Sequence, residues 1–326
     1  MSWVHRGKFF VISIILFGLC LMPIAAPSLV MYESAACYRL VVLSDPHLPV
    51  REHAVKSSAK QQKIIEAKNK VIEDINGWED IRQVVVLGDI VADLGTEKEN
   101  DYAAQYFSKF NKPLSFIAGN HDYIYEDTLS PEGKRVRGDA SYRERKLDIF
   151  KQTFSLPEVF YSQKLGNYFL LFLSVDSLDS RYLAQISERQ LTWLRGELAK
   201  NTAMPTIVFF HAPLKGTVSN YNATVNGPNF IAQPEQAIAE IINSNPQIFL
   251  WVSGHNHTPA TNPDFASATN VFAGRVTNVH NADMDRETIW TNSLYLYPDK
   301  VMIKTFDHKK GTWIDAIERT IYLPNR

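Results

Sequence analysis

The chain has 326 residues, 45% hydrophobic and 21% charged, which is enough apolar material for one large core in an ordinary globular domain. Thirty-four Lys and Arg against 35 Asp and Glu leave a net charge of −1, so there is no overall basic footprint for a nucleic-acid backbone or an anionic membrane surface. The two cysteines, Cys20 and Cys37, both lie near the N-terminus and exclude a disulfide framework in the body of the chain.

The first 36 residues differ in kind from the rest. His5, Arg6 and Lys8 precede an uncharged run from 9 to 26, broken only by Pro23, and small residues follow at Ser28 and at Ser34-Ala35-Ala36. A basic start, an apolar run and small residues describe an export signal, with cleavage expected after Ser28 or after Ala36. The run is also nearly long enough to span a bilayer, so an uncleaved anchor is the alternative. A buried core helix fits poorly, because the run is apolar on every side. Residues 1–36 are therefore expected to be a signal peptide or membrane anchor. The domain at 37–326 is expected outside the cytoplasm, periplasmic or secreted, or tethered through residues 9–26.

Beyond Cys37, short apolar runs alternate with stretches of 3.6-residue period. Residues 39–44 read as a buried strand. Residues 57–76 read as a helix with Ile64, Ile65, Val71, Ile72 and Ile75 on one face. A strand at 83–87, a helix at 97–110, an extended segment at 113–118 and a helix at 141–154 follow. Residues 167–175 form a strongly apolar strand, and a helix at 187–201 carries Leu191, Trp193, Leu194 and Leu198. Strands at 206–210 and 248–252 flank a helix near 233–245. After Ser253 the pattern turns to β segments at 270–273, 288–297 and 301–306. This alternation predicts an α/β fold with a largely parallel sheet covered by helices, the β-rich end completing a second sheet. No Pro-, Gly- or Ser-rich linker divides residues 37–326, so one domain is expected there.

Metal-ligand residue types recur just after the predicted strands. Asp45 and His47 follow the first, Gly88-Asp89 the second, and Gly119-Asn120-His121-Asp122 the third. His211 ends the strand at 206–210, and Gly254-His255-Asn256-His257 follows the strand at 248–252. Ligands in open α/β sheets bind beyond the carboxyl ends of strands, so these clusters can converge on one pocket. Five of the nine histidines lie in them. Imidazole with carboxylate and amide oxygen, and no thiolate, suits Mn, Fe, Zn or Co rather than a closed structural zinc site. Seven candidate ligands, Asp45, His47, Asp89, Asn120, His211, His255 and His257, exceed what one ion needs and predict two ions sharing a carboxylate. The glycines before the ligands allow a sharp turn and close approach of backbone to metal or substrate.

This series, in this order, resembles the calcineurin-like metallophosphoesterase superfamily over residues 40 to 260. Gly88-Asp-Ile-Val-Ala-Asp93-Leu-Gly95 and the helix carrying Leu191-Thr-Trp193-Leu194 look closest to its bacterial cyclic-nucleotide phosphodiesterase and purple-acid-phosphatase-like branches. The resemblance implies a four-layer αββα sandwich. It implies that Asp45, His47 and His257 bind one metal, that Asn120, His211 and His255 bind the other, and that Asp89 bridges them. The cofactors would be two divalent or mixed-valence transition-metal ions. The reaction would be phosphoester hydrolysis by a metal-bridging hydroxide, with His121 protonating the leaving alkoxide and Asp122 orienting and polarising His121.

The remaining features read more plainly. Asp93 is expected only to stabilise its loop, and His53, His280 and His308 to lie on the surface. The stretch with Lys134, Arg135, Arg137, Arg143, Arg145 and Lys146 is interleaved with acids and reads as a solvated face, an anion-attracting rim being the alternative. Residues 215–229 read as a lid or simply a long loop, and Asn222-Ala-Thr224 is a glycosylation sequon meaningful only in a eukaryotic secretory host. The expected partner is a small-molecule phosphoester, with a slight lean to diesters over monoesters. No nucleic acid or protein partner is expected, and the membrane is met only through an uncleaved N-terminus. A non-catalytic binding module on the same fold is the reading from another class, and the complete ligand set disfavours it.

Overall fold

The structure, a computed structural model, describes Met1 and residues 37–52, 54–55, 57–219 and 224–324. The expected signal or anchor, His53 and the asparagine of the sequon lie outside the described residues. Among the described residues, no helix is long and apolar enough to cross a membrane.

Every second residue of β1 (Tyr38–Leu43) goes to one of two apolar layers, as a strand buried on both faces requires. Leu40 and Val42 join one cluster, and Val41 and Leu43 join the other. The same division runs through β2 (Ile81–Val86), where Val85 enters the first cluster and Val84 and Val86 the second. Helix α1 (Ser58–Gly77) separates these strands and buries Val71, Ile72 and Ile75 in the second cluster. Helix α2 (Glu97–Phe107) starts with a capping box between Thr96 and Glu99 that satisfies its first amides, and it buries Ala103, Tyr106 and Phe107. The short β3 (Leu114–Phe116) pairs parallel to β2.

A hairpin of β4 (Tyr125–Leu129) and β5 (Arg135–Arg137) comes next, forming its own two-stranded sheet, and is followed by α3 (Ala140–Thr153). The second half holds β6 (Tyr161–Leu165), β7 (Tyr168–Leu173), α4 (Glu188–Lys200), β8 (Thr206–Phe210), α5 (Glu235–Ser244) and β9 (Ile248–Ser253). It ends in β10 (Val271–Phe272), β11 (Val276–His280), β12 (Trp290–Leu296), β13 (Lys300–Asp307), β14 (Thr312–Trp313) and β15 (Arg319–Tyr322).

Two large sheets result. One runs β14-β13-β12-β1-β2-β3, with β15 also paired to β13, and the other runs β10-β11-β9-β8-β7-β6. The first cluster combines Leu40, Val42 and Leu294 of one sheet with Phe172, Phe209 and Val252 of the other, so it is the layer between the sheets. Helices cover the outer faces, giving a mixed α/β arrangement of two sheets between helices. The pairs β1–β2, β2–β3, β7–β8, β8–β9 and β9–β11 are parallel, which aligns the carboxyl ends that carry the expected ligands. Asp45 N donates to Gly88 O at 3.2 Å and Gly254 N to His211 O at 2.8 Å, tying neighbouring strand ends together.

Several expectations need correction. Strands β4, β5, β6, β11, β14 and β15 were not expected, because each is short or largely polar. His280 and His308 are buried, not on the surface. The His280 imidazole lies 3.0 Å from Thr217 O, and His308 sits between Asp74 at 2.8 Å and Thr291 at 2.9 Å. The basic stretch is not one solvated face. Lys134, Arg137 and Arg145 are exposed, but Arg143 is buried and donates to Gly138 O and Ser180 O, and buried Lys146 pairs with Asp127 at 2.7 Å. Their chains carry the charge to backbone carbonyls and to the half-exposed Asp127 carboxylate.

Candidate metal centre

The two sheets each supply part of the site. Asp45, His47, Asp89 and Asn120 leave the ends of β1, β2 and β3, while His211, His255 and His257 leave the ends of β8 and β9. Asp45, His47, Asp89 and His257 offer ligand atoms that all lie within 4.8 Å of one another, and Asp89, His211 and His255 form a second such group. Asp89 is common to both. Asn120 lines the same pocket as Asp89, His255 and His257, and its side-chain oxygen is buried with no hydrogen-bond partner.

The backbone is strained where the ligands turn inward. Asp45, His47, Asp89, His255 and His257 adopt φ of 48°, 45°, 49°, 65° and 51°, which non-glycine residues seldom hold unless the surroundings impose it. Gly88 has φ +85°, and a side chain there would strike the Gly119 backbone; at Gly254 one would strike Ser44 and Asp45. The turns and the carboxylates are thus packed against one another. His255 N donates to Asp45 Oδ2 at 2.9 Å across the two sheets, and His121 N donates to Asp89 Oδ1 at 2.8 Å.

A second layer sets the imidazoles. His211 Nδ1 lies 2.7 Å from Leu87 O, His47 Nδ1 3.2 Å from Ala92 O, and His255 Nε2 2.7 Å from Asn229 O. Each contact takes the ring's one N–H in the neutral tautomer and leaves the other nitrogen's lone pair facing the site. The consequences are visible in pairs: His255 Nδ1 is 3.0 Å from His211 Nε2, and His47 Nε2 is 3.3 Å from His257 Nε2. Two bare nitrogens at that separation would repel, so each pair holds either a proton, on His211 beside Asp89 and on His257 beside Asp45 Oδ1 at 3.1 Å, or a metal cation in its place. Together with the unpartnered Asn120 oxygen and the two carboxylates, this donor set fits divalent metal ions.

The electrostatics agree. Burial alone would lower the His211 imidazole, but the adjacent Asp89 carboxylate, 3.3 Å away, lifts it to about 9. Burial pushes Asp89 upward, but His211 and His121 hold it well below the usual carboxylate range. Burial, and then the positive field at His211, takes His255 down to about 4. The negative field of Asp89 and Asp45 therefore attracts a positive charge of any kind to this point.

His121 and Asp122 do not form the pair expected. His121 lines the pocket, but its Nδ1 lies 2.7 Å from Asp93 O, not against Asp122. Asp122 instead accepts from Ile90 N at 2.8 Å, Val91 N at 3.1 Å and Gly119 N at 2.7 Å. Burial, and then Asp89, raise its carboxyl to about 7. Asp122 follows His121 in sequence, but successive side chains point apart, so it ties two strand-end loops rather than the imidazole. Asp93, read only as a loop residue, supplies the carbonyl behind His121, and its carboxylate holds Arg135 Nε at 2.5 Å.

The pocket, about 370 Å³, is completed by Arg51, Tyr125, Arg135, Leu183, Val225, Phe230 and Asn256, none of them foreseen as site residues. Arg135 was legible only in the alternative reading of the basic stretch as an anion-attracting rim. Asp283, 3.9 Å from His257 Nδ1, lies behind that ring. No sequence signal marks it, because it arrives from the loop after β11.

Residues 38–259 match the family described as calcineurin-like phosphoesterase. The glycerophosphodiester phosphodiesterase GpdQ of Enterobacter lignolyticus is 23% identical over 224 residues, covering 67% of this chain and 70% of GpdQ. Among solved structures, a dimetal phosphatase from Danio rerio superposes with a TM-score of 0.53 at 14% identity, over 88% of this chain and 99% of the other. The purple acid phosphatase PPD1 of yellow lupin superposes with a TM-score of 0.58 at 14% identity, over 88% of this chain and 54% of its own. At these identities the structural likenesses establish the fold, and the family match spans the strand-end clusters from Asp45 to His257. The chain belongs to the calcineurin-like phosphoesterase family.

Proposed function

We propose that the chain is a two-metal hydrolase of small phosphoesters, with a lean towards phosphodiesters. The observation that carries this is the Asp89 carboxylate shared by two ligand groups, one of which sets ring nitrogens of His211 and His255 3.0 Å apart. Asp45, His47 and His257 would hold one ion, Asn120, His211 and His255 the other, with Asp89 common to both. When bound, the ions would acidify and orient a water and offset charge on the phosphoryl oxygens.

The chain's own contribution is positional. Asp89 also accepts from His121 N, so the same carboxylate that joins the ligand groups fixes where His121 stands. With Nδ1–H donated to Asp93 O, the His121 proton for the leaving oxygen would travel from Nε2. Arg51 and Arg135 supply positive charge at the rim. The name of the relative GpdQ supports a diester, and the near-neutral chain argues against a nucleic-acid substrate. We further propose export through the N-terminal segment, which protease accessibility in intact cells or spheroplasts would test.

Purified protein should take up about two transition-metal ions per chain. Asp89→Asn should lower that content and nearly abolish hydrolysis. Activity that survives thorough chelation would overturn the metal reading. A kcat/KM for bis-nitrophenyl phosphate far below that for nitrophenyl phosphate, with no turnover of other diesters, would reverse the diester lean.

A further inference from the structure

The hairpin β4–β5 is inserted directly after the Gly119-Asn-His-Asp122 turn and forms no ladder with either large sheet. It nonetheless delivers two side chains to the pocket, Tyr125 from β4 and Arg135 from β5. The Tyr125 ring lies 5.4 Å from the His121 ring, and the Arg135 guanidinium lies 5.6 Å from the Tyr125 ring. The hairpin's side chains are thus gathered on the His121 side of the pocket. The other rim arginine, Arg51, is tied to Asp285 at 3.1 Å, and its field acts on His47 and His257. The two cations therefore act on neighbouring imidazoles, the His47 ring lying 5.1 Å from the His121 ring.

Arg135 is oriented by design. Its Nε and Nη2 both reach Asp93 Oδ1 at 2.5 Å, which fixes the guanidinium plane and turns the Nη1 edge away from Asp93. Apart from Asp89, no acidic side chain lines this pocket among the described residues, while Tyr125, Leu183, Val225 and Phe230 give it apolar walls. A cationic head group would find two arginines, each paired to a carboxylate outside the lining, Asp93 and Asp285. An anionic one would find a fixed guanidinium beside an apolar wall.

Resting on the phosphoester reading above, we propose that Arg135 is a specificity residue that selects substrates whose leaving group carries a second anionic group, such as a carboxylate, on a short apolar or aromatic skeleton. His121, as leaving-group acid, places the departing oxygen on the side where Arg135 stands. The scissile phosphate is then held at the metal centre while the second anion meets the guanidinium.

The test uses two matched phosphonates, 4-carboxybenzylphosphonate and its neutral isostere 4-carbamoylbenzylphosphonate, titrated calorimetrically into the manganese-loaded full chain. The carboxylate ligand should bind about tenfold more tightly to the wild type, and the ratio should fall to about one in Arg135→Gln. Arg135→Lys should keep part of the preference, and Arg51→Gln should keep most of it. A ratio near one in the wild type, or an unchanged ratio in Arg135→Gln, overturns the assignment. Equal loss in both arginine variants would assign the preference to the general field of the pocket and overturns it too. Binding of neither phosphonate to wild type would instead bring down the phosphoester reading, and this proposal with it.

Discussion

His121 and Asp122 are sequence neighbours with separate tasks, and the separation is measurable. His121→Ala should cost roughly 10²–10⁴ in kcat on esters with poor leaving groups and much less on nitrophenyl esters, which need little protonation. Equal losses on both would argue that His121 is not the acid. Asp122→Ala removes the acceptor of three buried backbone amides, so it should destabilise the fold by about 2–4 kcal/mol and lower metal content. Its rate loss should be independent of the leaving group; a loss graded by leaving-group pKa would restore the role in polarising His121. The candidate metal-ligand residues were legible in sequence because each follows an apolar run that ends a strand. Tyr125, Arg135, Arg51 and Asp283 were not, because their convergence depends on a hairpin and on loops whose course no local pattern records.

Among the elements, α1 shows how a fold supports a site it does not line. Its predicted face of Ile64, Val71, Ile72 and Ile75 is buried, Ile65 is only partly so, and the same face carries the charged Lys68. Lys68 Nζ donates to His47 O at 2.9 Å and Pro49 O at 2.8 Å and pairs with Asp285 at 3.0 Å, so the helix grips the turn that presents His47. Burial lowers the amine to about 8, with Asp285 acting against that fall. Lys68→Met should destabilise the protein by about 3–5 kcal/mol, because two carbonyls lose their donor and buried Asp285 is left with Arg51 alone. Denaturant unfolding measures it, and a cost below about 1 kcal/mol would show that the turn holds itself. Helices and long strands were legible because their periods repeat several times. Strands such as β11 were not, since five residues with three polar side chains, Thr277, Asn278 and His280, carry no clear period; partnership with β9 makes them a strand.

For the whole molecule, pH is felt through buried imidazoles away from the candidate metal centre. Burial takes His280 from 6.5 down to about 4. Between those values the unfolded chain binds a proton that the folded chain refuses, so stability is full above about 6.5 and falls as pH drops towards 4. The loss should be about 3 kcal/mol, and a His280→Gln variant should lack the slope that the wild-type profile shows. Parallel profiles for the two proteins would remove His280 as the cause. The apolar layer between the sheets has a further consequence. Each group draws its candidate ligands from both sheets, so their separation depends on the apolar layer that spaces the sheets, to which Phe172 and Phe209 contribute as cross-strand neighbours in one sheet with nearly parallel rings 5.1 Å apart. Phe209 stands two residues before His211, and trimming it to leucine touches no ligand. Phe209→Leu should nevertheless change the relative preference for small and large divalent ions, read as the ratio of magnesium to manganese affinity. Hydrocarbon packing would then act as the gauge of an ion's radius, and metal choice could drift through the core while every coordinating residue stays the same.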